Sequence, residues 1–468
     1  MQFHSTDLLC DLPKSLKIHC VRTGRSLDHG GLAALVDEQA IQLRDVLPDR
    51  QSRVVVAVND PIDCLVSLFA VWVAGSCAVM VNPKITENER LRVIAKTGAC
   101  MWIDDQGHHT CKTTSQTHSL NNAALILMTS GTTGDPKGVT HSLSTLKERL
   151  AENTRAIDHD KLDVSLCTLP LFFGHGLIGN SLTPLFAGKT LYLWPSLQIQ
   201  ELPQFGPMID SLGVTFFSSV PSFWRMILAT SVPPKNAPKR VHIGSAPLSQ
   251  QLWGKINDWT GTSEVYNTYG MTETANWISG GTLADSDGRD GYVGTPWGGT
   301  FRVLKDGVLR ESGQGEVAVK SPGQMLGLWG APEQTDALMI DGFMRTGDIG
   351  ELHADQSLHL VGRSKHEINV GGIKVLAEEI DMLLERHPDV IEACGFGIPD
   401  QIAGEVVAAV VKVRSTTLVS SELLQWCRRN ARADAVPKRI EIVDSIPKND
   451  RGKIARMDVK ERMIAEWL

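Results

Sequence analysis

Runs of apolar residues, broken by glycine, proline and polar turns, recur along the first half of the chain. Residues 53–58, RVVVAV, have the length and β-branched content of a buried parallel strand, closed by Asn59-Asp60-Pro61. Residues 64–81, CLVSLFAVWVAGSCAVMV, are the stretch long enough to raise the question of a membrane span. Gly75-Ser76 interrupts it. The pattern therefore divides into a short buried helix to Ala74 and a buried strand entering Asn82-Pro83, and no membrane span is expected. Residues 125–128, 164–168, 214–221 and 240–243 read as further buried strands. Strands alternating with helices in this way predict a doubly wound α/β layer.

Beyond Tyr292 the pattern turns β-rich, with Gly294-Thr295-Pro296, residues 314–319 and the turn-laden residues 320–330. Residues 367–375 read as a hairpin. It leads into a helix whose Leu376, Ile380, Leu383 and Leu384 share one face, stopped at His387-Pro388. Strands at 391–397 and 405–413 and a helix near 421–430 complete an α+β unit of about 100 residues.

At 468 residues the chain is too long for one compact core, so two or more domains are expected. A net charge of −7 argues against nucleic acid as the main partner and for a small-molecule enzyme. The nine cysteines, at 10, 20, 64, 77, 100, 111, 167, 394 and 427, form no C-x-x-C pair and no cluster with histidine. Neither a zinc site nor a disulfide framework is indicated. The opening MQFHSTDLLCDLPK lacks the basic-then-apolar design of a signal peptide, so a cytoplasmic location is expected.

Residues 125–142, LILMTSGTTGDPKGVTHS, carry the strongest chemical signal. After the apolar strand, Thr129, Ser130, Gly131, Thr132, Thr133 and Gly134 form a turn of hydroxyls and glycines. Glycine lets backbone amides face an anion, the hydroxyls add donors, Lys137 adds a positive charge, and Pro136 stiffens the exit. A Walker loop is excluded, because the sixth position from Gly131 is Pro136 and Lys137 is followed by Gly138. Six such residues alone would be an ordinary surface turn. The whole string, residues 129–141, resembles the phosphate loop of the adenylate-forming superfamily of AMP-binding enzymes: acyl-CoA synthetases, carrier-loading adenylation domains and luciferases.

The resemblance extends downstream, in order. Residues 169–177, LPLFFGHGL, resemble the family's P-L-F-H-x-x-G segment, with Phe173 where its usual histidine stands and His175 two places on; both would line the acid pocket, Phe173 as a gate. Gly244-Ser245-Ala246-Pro247 resembles the adenine-side turn, where small residues let a purine lie against the backbone. Residues 266–274, YNTYGMTET, resemble N-x-Y-G-x-T-E: Asn267, Tyr269 and Gly270 on the adenine side, Thr272 for the α-phosphate, and Glu273 for Mg²⁺. Asp348, in a T-G-D segment, would accept the ribose hydroxyls, and Arg363 would reach ribose or phosphates. Lys365 falls at the family's hinge, Gly371-Gly372 would line the thiol channel, and Lys453, in residues 446–456, is in register with the catalytic lysine. His366 and Asn369 depart from the family's usual acid and base after the hinge.

The resemblance implies an α/β fold: a large N-terminal ATP- and acid-binding region over residues 1–362 with a β-barrel-like part, a hinge at 363–365, and a small mobile α+β domain over 366–468. It implies an acid–thiol ligase that uses ATP and Mg²⁺, forms an acyl adenylate and then a thioester with CoA. Transfer to the phosphopantetheine of an acyl carrier protein is the alternative. A scaffold with a degenerate nucleotide site is the third reading, and intact Lys137, Glu273, Asp348, Arg363 and Lys453 count against it. The substrate is a small-molecule carboxylic acid. Residues 172–180 hold no acidic side chain to pair an α-ammonium, which argues against an amino acid. His175, Asn180 and Ser219 suggest polar character in the pocket, while Phe172, Phe173, Phe216, Phe217 and Trp224 suggest an aryl or a short to medium acyl group.

Overall fold

The computed structural model describes residues 12–49, 52–111, 120–129, 137–415, 417–449 and 452–467. Two sheets of mostly parallel strands make up most of the large N-terminal part. Among the described residues, one has seven strands, in the order Gly327–Leu328, Lys137–Ser142, Ala123–Thr129, Cys77–Met80, Arg53–Val56, Met101–Asp104, Gly107–Thr110. The other has nine and is centred on Val164–Cys167, Phe216–Ser219, Arg240–Ile243 and Val265–Met271.

The long apolar run resolves as its glycine predicts. Pro61–Val73 is a helix capped by the Asp60 carboxylate, which accepts from the amides of Ile62 and Asp63, and Cys77–Met80 is the following strand. Twelve of the helix's thirteen residues are buried. At about 20 Å it is far shorter than the roughly 30 Å of a bilayer core, so its all-round apolar surface belongs to the protein interior. No helix among the described residues is long and apolar enough to cross a membrane.

The β-rich stretch forms an antiparallel sheet, the barrel-like part. Thr300–Lys305, Gly313–Lys320 and Phe343–Leu352 lie side by side, and Leu358–Arg363 pairs with the last of them. Its register sets Asp348 opposite Arg363. The connecting residues 325–329 leave the sheet to pair with the strand after the phosphate loop, Gly327 against Thr140 and Leu328 against Val139.

A small C-terminal α+β domain follows. The hairpin Glu367–Val370 and Ile373–Leu376 joins Gly404–Val413 and Val390–Asp400, with Arg439–Ile442 parallel beside them. Ala377–Glu385 packs Ile380, Leu383 and Leu384 onto this sheet, the apolar face that the heptad-like spacing predicts.

Candidate active site

Ser130, Gly131, Thr132, Thr133 and Gly134 lie outside the described residues, but both ends of that loop are placed. Thr129 pairs with Lys137 in antiparallel register, and its hydroxyl donates to the Lys137 carbonyl at 3.3 Å. Gly138 is required where it stands, because a Cβ would meet Ile126 and Trp329 at 3.0 and 3.1 Å.

The strand bearing Lys137 is joined to the second signature by His141, whose Nε2 donates to the Thr272 carbonyl at 2.8 Å. His141 is fully buried, and burial lowers its pKa to about 4, so it is neutral at physiological pH. The Met325 amide donates to the Glu273 carbonyl at 2.8 Å, while the Leu326 and Trp329 amides donate to Thr140 and Gly138 at 2.8 and 2.7 Å. Three segments distant in sequence are thereby locked together. Neither His141 nor residues 325–329 stood out in the sequence, because their roles are backbone contacts across the fold.

Thr272–Thr274 is a tight turn, followed by Ala275 and Asn276 at φ of 52° and 104°. Two successive non-glycine residues in the left-handed region are a strained exit, held in place by the strand that follows. Burial raises the pKa of Glu273, opposed by the charges of Arg363 and Lys137. Glu273, Lys137, Arg363 and Asp348 thus share one electrostatic neighbourhood.

The Tyr269 hydroxyl donates to Asp348 Oδ2 at 2.6 Å, and Arg363 Nε lies 2.7 Å from Asp348 Oδ1. Arg363 also donates to the Thr346 carbonyl at 3.1 Å. Gly244 ends its strand where a Cβ would come within 2.7 Å of the Thr268 hydroxyl, and Ser245 follows at φ 68°, leading into Ala246 and Pro247. Gly270 has the Asn276 carbonyl 2.1 Å from where its Cβ would be. Asn267 turns inward and donates to the Tyr292 carbonyl at 2.7 Å, bracing the strand.

Residues 175–182 wind as a π-helix, a wide turn common at functional sites. His175 is pinned from both ring nitrogens: Nε2 is 2.6 Å from the Ser218 hydroxyl and Nδ1 is 2.9 Å from the Ser245 hydroxyl. Its ring stands edge-on to Trp277 at 5.5 Å. Burial, reinforced by the charge of Lys453, lowers its pKa to about 3, so the imidazole is neutral. Ser218 donates to the His242 carbonyl at 3.3 Å. In the tautomer that satisfies this chain, Nε2–H donates to Ser218 and Nδ1 accepts from Ser245. Phe172 and Phe173 lie beside this helix with their rings 4.4 Å apart.

Strand alternation places several pocket candidates elsewhere. Phe216 and Ser218 share the face toward His175 and Trp277, so Ser218, not Ser219, meets the histidine. Phe217 is on the opposite face with Trp224 and Phe205 in an aromatic core cluster, so these rings pack away from His175. Asn180 is fully buried and donates to the Leu166 carbonyl at 3.0 Å, tying the π-helix to the sheet. Counting by two from Phe216 is the signal that would have selected Ser218.

The small domain closes over this side. The loop of Lys453 approaches the large part at Ser222, whose hydroxyl lies 3.0 Å from where a Cβ on Gly452 would stand. Lys365 lies at the surface, and partial desolvation with the neighbouring Arg363 charge lowers its pKa. His366 pairs through Nδ1 with Glu378. Gly371 and Gly372, at φ of 60° and 90°, form an exposed hairpin tip with nothing within 4 Å of where a Cβ would be. Asn369 shapes that tip, its Oδ1 accepting from the Gly372 amide at 2.9 Å.

A layered α/β body, a barrel-like sheet and a small lysine-bearing domain, with Glu273, Asp348, Arg363 and Lys137 in one electrostatic neighbourhood and Lys453 acting on His175, define a nucleotide-using ligase. The chain belongs to the AMP-binding enzyme family: the model of that family matches residues 106–329, and that of the AMP-binding enzyme C-terminal domain matches residues 379–453. It is similar to oxalate–CoA ligase of Arabidopsis thaliana, 34% identical over 74% of this chain and 68% of the relative. Sulfoacetate–CoA ligase of Cupriavidus necator is 34% identical over 71% of this chain and 66% of its own length. ATP-bound MatB from Rhodopseudomonas palustris shares the fold over 99% of both chains, with a TM-score of 0.86 at 24% identity. The protein is an enzyme of the AMP-forming acid–CoA ligase family.

Proposed function

We propose that the protein activates a short, polar carboxylic acid with ATP and transfers the acyl group to CoA. The observation that carries this reading is His175, which ends the acid side with a hydrogen-bonding imidazole held by Ser218 and Ser245. Trp277 and Ser218 behind it are sealed, at 2% and 0% exposure, so a long chain has nowhere to extend. The aryl or medium acyl group suggested by the aromatic residues loses two of its supports, since Phe217 and Trp224 are core. Relatives that act on oxalate and sulfoacetate, both short polar acids, agree with this choice.

A carboxylate is a poor acyl donor because its leaving group would be oxide. Attack of one carboxylate oxygen on the α-phosphorus of ATP expels pyrophosphate and leaves an acyl adenylate, a mixed anhydride. Negative charge must be offset throughout, so the chain contributes mainly position and electrostatics. Lys453 binds the carboxylate and α-phosphate, Thr272 donates to the α-phosphate, and the 129–137 loop with Lys137 holds the outer phosphates. Asp348 accepts the ribose hydroxyls, and Tyr269 and Arg363 hold its carboxylate in place. Glu273 fits Mg²⁺, which is commonly held by one or two carboxylates with phosphate oxygens and water completing its shell. Bound there, the ion neutralises phosphate charge.

In the second step the CoA sulfur attacks the acyl carbon and AMP leaves. Rotation about Lys365 withdraws Lys453 and brings the Gly371-Gly372 tip, now in solvent, to the acyl group. The test is AMP release with Mg²⁺-ATP and a panel of oxalate, malonate, sulfoacetate, acetate, hexanoate and benzoate, with and without CoA, alongside Lys453→Ala. Release that needs both a short polar acid and CoA, and that Lys453→Ala abolishes, supports the proposal. Preference for hexanoate or benzoate overturns the substrate class, and exchange indifferent to CoA points to a carrier-protein acceptor.

A further inference from the structure

The helix Pro221–Thr230 of the large part faces the small domain with two residues on one face. Ser222 lies under Gly452, beside Lys453. Arg225, one turn on, makes three contacts with the small domain. Its Nη2 is 2.7 Å from Glu385 Oε2, its Nε donates to the Ile391 carbonyl at 3.0 Å, and its Nη1 is 3.6 Å from Glu392 Oε1. The same oxygen of Glu392 lies 2.9 Å from Lys448 Nζ. These side chains are well buried, Arg225 at 16%, Glu385 at 12% and Glu392 at 6% exposure.

Lys448 begins the loop that carries Lys453. That loop is internally braced: Lys448 bridges to Ile454, the Asn449 amide donates to the Lys453 carbonyl at 2.9 Å, and Asn449 Oδ1 accepts from the Lys453 amide at 3.1 Å. Whatever holds Lys448 therefore also sets where Lys453 stands. A run of charges thus crosses the boundary between the two parts, from Arg225 through Glu392 to Lys448.

We propose that Arg225 is a positioning residue for the adenylation step, docking the small domain through Glu385 and Glu392 so that Lys453 reaches the carboxylate and α-phosphate. The inference rests on the two-step reading given above. Two buried carboxylates on one domain need a cation, and removing a partner from a buried pair is strongly unfavourable. The clasp is nonetheless releasable. Burial raises the Glu385 carboxyl to about 7, with Arg225 opposing the rise and Asp381 and Glu392 adding to it, so even in the docked state the acid is close to taking a proton. A second pair, the exposed Arg386 with the buried Asp290 carboxylate at 2.9 Å, spans the same boundary farther from Lys448.

The experiment uses the full chain and its Arg225→Gln and Arg225→Lys variants. Two half-reactions are read separately: acid-dependent exchange of pyrophosphate into ATP, and thioester formation from CoA and chemically supplied acyl adenylate of the preferred acid. Arg225→Gln is expected to lower exchange about tenfold or more while leaving thioester formation within about twofold, with partial recovery in Arg225→Lys. Hydrogen exchange of the peptide spanning residues 446–456 should rise in Arg225→Gln, with Tm changed little. Equal loss of both half-reactions, or unchanged exchange, overturns the proposal. If the wild-type protein itself exchanges no pyrophosphate with any acid, the functional reading fails; the clasp then stands or falls on the protection of the 446–456 peptide, unchanged protection overturning it.

Discussion

The Tyr269 hydroxyl sits 2.6 Å from Asp348 Oδ2 while Arg363 Nε occupies the other oxygen at 2.7 Å. The carboxylate is therefore held in orientation before a nucleotide arrives, anchored at both oxygens. Tyr269→Phe removes one of two anchors without changing shape. The ATP dissociation constant, by calorimetry, should rise about 3- to 10-fold, the scale of one hydrogen bond to a charged group. Asp348→Ala should abolish measurable binding; retention of wild-type affinity in both variants would contradict the ribose assignment.

In the proposed reading His175 sets the depth of the acid pocket. His175→Ala exposes Ser218 and opens space for two or three further carbons in front of Trp277. The kcat/KM for the shortest acids should fall about 10- to 100-fold, while that for longer homologues rises. An unchanged ranking of acids would remove His175 from the pocket.

Gly179 makes a separate test of the same wall. A Cβ there would lie 1.8 Å from Asn276 Nδ2 and 2.9 Å from two Trp277 ring carbons, so Gly179→Ala must displace both side chains. The side-chain links among Tyr269, Asp348 and Arg363 use neither the Asn276 nor the Trp277 side chain, so the acid KM should rise about tenfold with ATP affinity retained. Parallel loss of ATP binding would mean that the two subsites are not separable.

Buried neutral histidines make stability depend on pH. His141 titrates near 4 when folded and near 6.5 when unfolded, so between these values the unfolded chain binds the proton that the native one refuses. Stability present above pH 6.5 is lost as pH falls toward 4, by up to about 3 kcal/mol from this residue. The lowered pKa values of His175 and His242 act in the same direction. Tm measured from pH 7.5 to 4.5 should fall, and less steeply in His141→Gln, which keeps a donor for the Thr272 carbonyl but does not titrate. Parallel curves would refute the assignment.

Much of this molecule was legible without its structure. The length of the apolar runs, the break at Gly75-Ser76, the single apolar face of residues 376–384 and the order of the glycine- and hydroxyl-rich signatures are local properties, and local backbone preference expresses them directly. They determined the alternation of strands and helices, the barrel-like middle, the small final domain and the family.

What tertiary structure decided is which side chains meet. A strand turns successive residues to opposite faces, and only packing says which face is core; this put Ser218 with His175 and sent Phe217 to the interior, where Trp224 of the following helix packs on it. The link from His141 to Thr272 joins positions 131 residues apart, and the contact of Arg225 with Glu385 joins positions 160 apart. No periodicity in the sequence encodes such pairs, because they exist only once separate sheets and domains have docked.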